Sequence, residues 1–337
     1  MKKNPENPNL IKLEELDKKL LFELDKDARQ PLSQLAGKLR VNRIVAEYRM
    51  KQLQKAGVIR GCVAFVDPYT FGLASWKTYF RFQNITKEGE HELIAYIQKM
   101  PNLWWVIRTT GAYDLMFCVL AENHFTFFKT LQDFQQRFNT NILEIAITNH
   151  INSRWFTRNY LTGGQGDFVA DTFTREPLKE NIDPIDLQIL KLVAADSRQP
   201  VVEMARTLGT TARIVSYRLK ELEKRKIIVN HRLVLDVNRF GYTHYKVLLS
   251  LKDFTQKDVS GLLEFFRSHP NIENCSQSYG PWDMEFEMEV PGHAAFNELM
   301  LRLRETFSRI IRKYEYVQIY EELRPENNFL DYMNLSP

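Results

Sequence analysis

The sequence predicts an α+β protein assembled from two copies of one unit, each a helix-turn-helix domain followed by a ferredoxin-like βαββαβ sandwich. Three observations carry this: self-similarity at one fixed offset, a helical triplet with a basic third helix in each copy, and an ordered alternation of strand-like and helix-like segments behind each triplet. Sliding the chain against itself by 169 positions aligns DARQP (27–31) with DSRQP (196–200). Without a gap the same offset matches Tyr48 and Arg49 with Tyr217 and Arg218, Phe71 and Gly72 with Phe240 and Gly241, Gly111 with Gly280, Asp114 with Asp283, and His124 with His293. The offset exceeds the period of any solenoid repeat, so the repeated object is a multi-element unit. A chain of 337 residues has room for two of them.

In the first triplet Leu16, Leu20, Leu21 and Leu24 recur at spacings of four and three, and Ile185, Ile189, Leu190 and Val193 repeat the stripe in copy two. A short segment follows, SQLAGKL or VEMARTL, then a break at RVN or GTT. The longer third helix is marked by Tyr48, Met50, Leu53 and Ala56, or by Val215, Leu219 and Leu222. Three helices with a tight break before the third are the sequence form of a helix-turn-helix, although any small three-helix bundle shares that periodicity. Charge sharpens the reading. Residues 38–60 hold seven basic side chains against one acid, and residues 206–232 hold eight against two. Each segment is therefore +6 in a chain whose net charge is only +4, which leaves −8 elsewhere. A basic third helix on an acidic body, twice over, is the electrostatic footprint of nucleic-acid binding.

Behind each triplet, SWKTYFRFQ (75–83) and HYKVLLSLK (244–252) alternate like strands. EGEHELIAYIQKMPN and KDVSGLLEFFRSHPN read as helices ended by proline. Two strands joined at a G-x-x-D turn follow, then the helices HFTFFKTLQDFQQRF and HAAFNELMLRLRETF and a last strand, ILEIAIT or KYEYVQIY. The order βαββαβ defines an antiparallel sheet with two helices on one face. The expected boundaries are a helix-turn-helix domain over 1–66, a sandwich over 67–158, a glycine-rich linker over 159–182, a second helix-turn-helix domain over 183–235 and a second sandwich over 236–330.

With 44% hydrophobic and 26% charged residues the composition excludes a largely disordered chain. No apolar run approaches the roughly 18 residues of a membrane span, and the start MKKNPENPNL lacks a signal core, so a cytoplasmic protein without a membrane partner is expected. Cys62, Cys118 and Cys275 are too few and too scattered for a disulfide framework or a zinc site, and are expected as buried apolar side chains. No cofactor or metal site is expected. His124 and His293 stand just before helices with no catalytic partner in view, a structural position.

LDKKLLFELDKDARQPLSQLA, GVIRGCVAFVDPYTFG and TTGAYDL together resemble the Lrp/AsnC (feast/famine) transcription regulators, over nearly the whole chain and twice. Copy two is the weaker match, with KIIVNHRLVLDVNRFG as its connector and SYGPWDM as its turn. Members usually carry one unit and pair through their sandwich (RAM-type) domains, so this chain resembles two subunits fused. The resemblance implies a transcription regulator of double-stranded DNA, modulated by a small effector such as an amino acid, whose pseudo-dimeric chains self-associate. By position it places Asn42, Arg43, Tyr48, Arg49 and Lys51 of copy one, and Thr211, Arg213, Tyr217, Arg218 and Lys220 of copy two, in the DNA major groove. Each tyrosine serves equally well as a packing residue. Effector positions by the same resemblance are Gly111, Tyr113, Asp114, Gly280, Trp282 and Asp283, where a hairpin turn capped by its own aspartate is the alternative.

Two other functions share these features. A DNA-organising protein would keep both basic helices and lose the effector. Siroheme decarboxylases are similar in both parts, but carry HNYxR where this chain has IRTTGAYD and SQSYGPWD, so the expectation is a non-enzyme. Finally, strand alternation puts Glu285, Glu287 and Glu289 on one face of a copy-two strand, where copy one has Met116, Cys118 and Leu120. Two copy-two sheets facing each other would oppose acids to acids. Copy one instead offers Lys77 and Arg81, so copy one is expected to pair with copy two; acids turned to water on an unpaired sheet are the alternative.

Overall fold

The computed structural model describes residues 10–100, 102–164, 168–173, 175–324 and 329–330. The amino-terminal nine residues, Pro101 at the expected helix end, parts of the expected linker and the last residues of the second sandwich lie outside the described residues. Copy one runs α1 (Glu15–Lys26), α2 (Leu32–Leu39), α3 (Arg43–Lys55), β1 (Ile59–Val66), β2 (Ala74–Phe82), α4 (Lys87–Gln98), β3 (Leu103–Gly111), β4 (Leu115–Ala121), α5 (His124–Phe138) and β5 (Ile142–Phe156). A short strand, β6 (Phe168–Thr172), precedes copy two. Copy two runs α6 (Pro184–Ala195), α7 (Val201–Thr207), α8 (Ala212–Lys224), β7 (Ile228–Leu235), β8 (Thr243–Leu251), α9 (Gln256–Ser268), β9 (Ile272–Tyr279), β10 (Met284–Val290), α10 (His293–Phe307) and β11 (Ile311–Arg324). The bounds of α1, α3, β1, β2, β4 and α5 recur in copy two at the 169-residue offset.

The helical triplets form because their stripes meet. Leu20, Leu21 and Leu24 of α1 are fully buried with Leu35, Ala46 and Leu53. In copy two Ile189, Leu190 and Val193 pack with Val215, Leu219 and Leu222. Asn42 starts α3 by accepting the Val45 amide on Oδ1 at 2.8 Å, and Thr211 starts α8 by accepting the Ile214 amide at 3.3 Å. An antiparallel ribbon of β1 and β7 joins the two triplets. Across it the Ala28 amide donates to the His231 carbonyl at 3.0 Å, and the Ser197 amide to the Cys62 carbonyl at 2.7 Å. The Arg29 guanidinium donates to the Ser197 carbonyl, and Arg198 to those of Ala28 and Gln30 at 2.6 and 3.1 Å. The arginines of the matched DARQP and DSRQP segments thus bind each other's copy, the reciprocity of a two-fold interface within one chain.

The two sandwich sheets merge. Around one antiparallel sheet the order is β2, β4, β3, β11, β8, β10, β9 and β5, and β5 pairs again with β2, so eight strands close into a barrel, four from each copy. The pairs β3–β11 and β5–β9 make the two seams between copies. Closure leaves these strands without a free edge. Alternation then sorts the side chains. Phe80, Phe117 and Val119 face outward beneath α4 and α5, and Val247, Phe286 and Met288 beneath α9 and α10, while the opposite set points into the barrel.

The expected copy-one to copy-two pairing is therefore the observed one, and the acids do not face water. Lys77 meets Glu285 at 2.7 Å inside the barrel. Arg81 differs from expectation: it lies at the far end of β2 opposite Glu144, donates to the Ala112 carbonyl at 3.0 and 2.6 Å, and reaches none of the three acids. The expected linker also carries more structure than its glycines imply. β6 pairs with the end of β5, the amides of Leu178 and Glu180 donate to Tyr69 and Thr70, and Phe173 is buried. Five residues among glycines show no periodicity long enough to read as a strand. Cys62, Cys118 and Cys275 are buried thiols outside any disulfide. Among the described residues no helix is long and apolar enough to cross a membrane.

Candidate nucleic-acid interface and barrel cavity

On the outer faces of α3 and α8 stand Arg43, Ile44, Tyr48 and Lys51, and Arg213, Ile214, Tyr217 and Lys220, all exposed. Tyr48 and Tyr217 are 59% and 65% exposed, which removes the packing alternative for both. Asn42 and Thr211 are the caps already described, leaving their side chains at the helix N-termini where a phosphate is favoured. Arg49 and Arg218 are placed differently. Arg49 binds Glu14 at 2.8 Å and the buried Asp17 at 3.4 Å; Arg218 binds Asp183 and, at 2.8 Å, Asp186. Each arginine therefore clamps the third helix of its triplet to the start of the first. The matched Tyr-Arg pair divides its labour in both copies, one side chain outward and one inward.

The G-x-x-D turns are also duplicated in detail. Gly111 has φ +119°, and a Cβ there would meet the Tyr316 carbonyl at 2.7 Å; one on Gly280 would meet the Ile147 carbonyl at 2.5 Å. Each glycine thus lets its turn lie against the last strand of the other copy. The carboxylate of Asp114 accepts the Phe82 amide, and that of Asp283 the Leu251 amide, both at 2.7 Å. Tyr113 and Trp282 turn into the barrel, 6.0 Å apart by ring centroid and flanking Tyr79. The six residues form a closed turn-and-plug arrangement.

A cavity of about 700 Å³ opens at the other mouth, between the barrel and the β1–β7 ribbon, and none of those six residues lines it. Below it runs a chain of buried charges. Glu285 accepts Lys77 at 2.7 Å and Lys246 at 3.4 Å, and Lys246 also meets Glu287 at 2.7 Å. Burial works against the Glu285 carboxylate, but the two ammonium groups hold it well below its usual range. His244 lies 3.0 Å from Glu287 and 3.3 Å from Glu273; burial opposes its charge, yet these contacts lift it to about 10. Arg158 then donates to Glu273 at 2.5 Å, to Glu289 at 2.8 Å and to Asp25 of α1 at 2.6 Å. His244, Glu273 and Glu289 offer ligand atoms within 4.8 Å of one another. Arg158 pairs with both carboxylates and His244 is itself protonated, an arrangement suited to ion pairing rather than to a metal.

His150, in the wall of the cavity, is the exception to this pairing. It is buried, neither ring nitrogen makes a well-formed hydrogen bond although the Asn152 backbone lies close, and burial followed by the nearby Lys77 pushes it well below 6.5, so it is neutral. The indole N–H groups of Trp104 and Trp155 in the same wall are likewise buried and unpartnered. In the sequence His150 belongs to no motif. The alternation of HYKVLLSLK does put His244 and Lys246 on the face that Lys77 occupies in copy one, a readable signal. Arg158 follows β5 in an irregular stretch and carries none.

Two winged helix-turn-helix units on a shared α+β body define a regulator that contacts DNA. A winged helix-turn-helix DNA-binding profile matches residues 13–60 and an AsnC-type helix-turn-helix profile matches 182–223, their starts separated by the same 169 residues. An uncharacterised HTH-type transcriptional regulator of Pyrococcus horikoshii is 31% identical over 110 residues, 33% of this chain and 73% of its own. The proline dehydrogenase transcriptional activator of Rhodobacter capsulatus is 29% identical over 120 residues, 35% and 78% of the two chains. LrpC of Bacillus subtilis, another HTH-type transcriptional regulator, is 28% identical over 114 residues, 34% and 77%. The chain belongs to the Lrp/AsnC family of DNA-binding regulators. Over its whole length the fold is similar to the siroheme decarboxylase NirDL, with a TM-score of 0.61 across 93% of each chain at 13% identity, a likeness of architecture.

Proposed function

We propose that the protein is a sequence-specific transcription regulator whose two different third helices read an asymmetric pair of half-sites in double-stranded DNA, with affinity adjusted by a small effector. The observation that carries this is the paired outward faces, Arg43, Tyr48 and Lys51 beside Arg213, Tyr217 and Lys220, each anchored from beneath by Arg49 or Arg218. Arg43 and Arg213, in the first turn of their helices, are suited to base edges, and Lys51 and Lys220 to phosphates. Asn42 and Thr211 add amide-rich helix starts for the backbone. The resemblance also keeps the G-x-x-D turns, with Gly111, Tyr113, Asp114, Gly280, Trp282 and Asp283, as the place of effector recognition and further self-association.

Selection of bound sequences from random duplex DNA tests the reading. The expected product is two unlike half-sites at a fixed spacing, and Arg43→Ala with Arg213→Ala should lower affinity for the selected site by about tenfold or more. Coating of all sequences alike with a steep salt slope would instead mark a DNA-organising protein. A second reading, a tetrapyrrole enzyme, draws on the cavity and on the fold shared with NirDL, which has also been solved with an iron-uroporphyrin III analogue. A shifted porphyrin absorption band on adding iron-uroporphyrin, with no selected DNA site, would support it.

A further inference from the structure

We infer that the cavity between the barrel mouth and the β1–β7 ribbon is a binding site for a small planar aromatic carboxylate, separate from the G-x-x-D turns, and that its occupancy is transmitted to the first helix-turn-helix through Arg158 and Asp25. Its DNA consequence rests on the regulator reading; its ligand does not.

Buried polar groups are hydrogen-bonded in almost every native structure, because an unmet one loses its hydration without a replacement. Three side chains of this wall break that rule together: both nitrogens of His150 and the indole N–H groups of Trp104 and Trp155. A neutral imidazole supplies one donor and one acceptor, so the set offers three donors and one acceptor. The Arg232 guanidinium stacks 3.4 Å above the Trp155 ring and closes that side of the wall. A donor-rich wall calls for an acceptor-rich group, and a carboxylate meets that need with charge.

The remaining surface selects the body of the ligand. Phe173 presses on His150 at 4.6 Å and on Trp104 at 5.5 Å by ring centroid, and Phe65 on Trp104 at 5.9 Å. Phe173 holds φ +58°, a backbone region that bulky residues avoid, which is the kind of local strain found where a side chain is committed to a site. Flat walls of this kind favour a planar ring. The acids that could hold an α-ammonium, Glu273, Glu287 and Glu289, already face Arg158, His244 and Lys246, so an aromatic acid fits better than an amino acid.

The same geometry explains a one-sided link to DNA. Arg158 binds Asp25 of α1 through both its guanidinium and its backbone amide, at 2.6 and 2.8 Å. The positions equivalent to Asp25 and Arg158 in copy two are Ala194 and Asn327, residue types that hold no pair of opposite charges. An anion entering the cavity competes with Glu273 and Glu289 for Arg158 and changes its hold on α1.

Isothermal titration of the full chain with phenylacetate, indole-3-acetate and 1-naphthoate, against L-leucine, cyclohexylacetate and inorganic phosphate, tests the site without DNA. The aromatic acids should bind at one site and the controls should not. His150→Leu should weaken binding by about tenfold or more, and His150→Gln, which keeps a donor and an acceptor, should restore most of it. A purely structural histidine would not separate these two variants. Indifference to His150→Leu, equal binding of cyclohexylacetate, or saturation by iron-uroporphyrin without any response to the small acids would overturn the site. Asp25→Asn should abolish the ligand's effect on affinity for the selected DNA and, because Arg158 is then less tightly held, should tighten ligand binding rather than weaken it. An undiminished effect in that variant would overturn the transmission route, and leaves the DNA reading to stand on the sequence selection alone.

Discussion

Replacing Glu285 by glutamine removes the charge on which the barrel interior converges. Its carboxylate accepts Lys77 at 2.7 Å, the Trp282 indole N–H at 2.9 Å, the Ser278 hydroxyl at 3.2 Å, and Lys246 and the Thr148 hydroxyl at 3.4 Å. Glu287, 2.7 Å from Lys246, still neutralises that lysine in the variant, but Lys77, only 4% exposed, is left facing an amide. Breaking one partner out of a buried pair costs about 3–5 kcal/mol, because the desolvated charge loses its compensation. Removing both charges in Lys77→Met/Glu285→Met should cost far less than the single replacements together, giving a coupling of about 2–3 kcal/mol. Urea unfolding followed by tryptophan fluorescence and circular dichroism measures all of these. The sign with pH is also set: a carboxylate held low in the folded state contributes stability that is present above its ordinary value of 4.5 and is lost as pH falls below it. Glu285→Gln should therefore flatten the acid limb of the stability profile. A cost below about 0.5 kcal/mol, or strict additivity in the double variant, would mean that the interior charges are screened by water and do not specify the pairing.

His244, lifted from 6.5 to about 10, contributes stability that is complete below pH 6.5 and lost as pH rises towards 10, so His244→Gln should show little change in unfolding midpoint across that window while the parent chain loses stability. Arg49→Ala and Arg218→Ala should each lower stability by about 1–3 kcal/mol in thermal unfolding, whereas Arg43→Ala and Arg213→Ala leave it unchanged and reduce DNA binding; equal effects of the two pairs would remove the clamp assignment. Gly111→Ala drives a Cβ to 2.7 Å from the Tyr316 carbonyl at φ +119° and should cost about 2 kcal/mol or more, with the seam between β3 and β11 losing amide-exchange protection first. The two halves expressed apart and mixed should form a one-to-one complex in preference to copy-two homodimers, as size-exclusion chromatography would show; two non-interacting monomers would contradict the seams.

What the sequence disclosed and what it withheld follow from the range of each signal. The duplication, the helical triplets and the strand order are local or periodic, and the pairing of Lys77 with an acid was legible because alternation assigns a face to every strand residue. The fate of Arg81 was not, since strand alternation fixes a side but not a depth, and only the register of β2 against β5 places it beside Glu144. The roles of Arg49 and Arg218 were hidden by the same basic periodicity that announced the third helices. A basic residue on a recognition helix looks alike whether it turns outward to phosphate or inward to a carboxylate on the first helix, and Asp17 and Asp186 lie more than 30 residues away along the chain. The cavity was least legible of all. Its wall draws on β1, β3, β5, β7, β8 and the residues around β6, and no window of sequence contains it.

Fusion accounts for why the two copies diverged where they did. In a homodimer a two-fold seam brings the same patch of both subunits together, so a row of acids facing inward on one sheet is met by the same row from the other. Within one chain that constraint is gone. Met116, Cys118 and Leu120 are apolar where the matching Glu285, Glu287 and Glu289 are acids, and the two equivalent lysines, Lys77 and Lys246, converge on the single carboxylate of Glu285. The turns, caps, arginine clamps and ribbon contacts, by contrast, recur at matched positions in both copies. Both copies still need a stable triplet and a closed turn, so those features held. The interior needed only to fit once, and there the asymmetry supplies both a charge pattern that disfavours wrong pairing and an ion pair, Arg158 to Asp25, whose residue types copy two does not repeat.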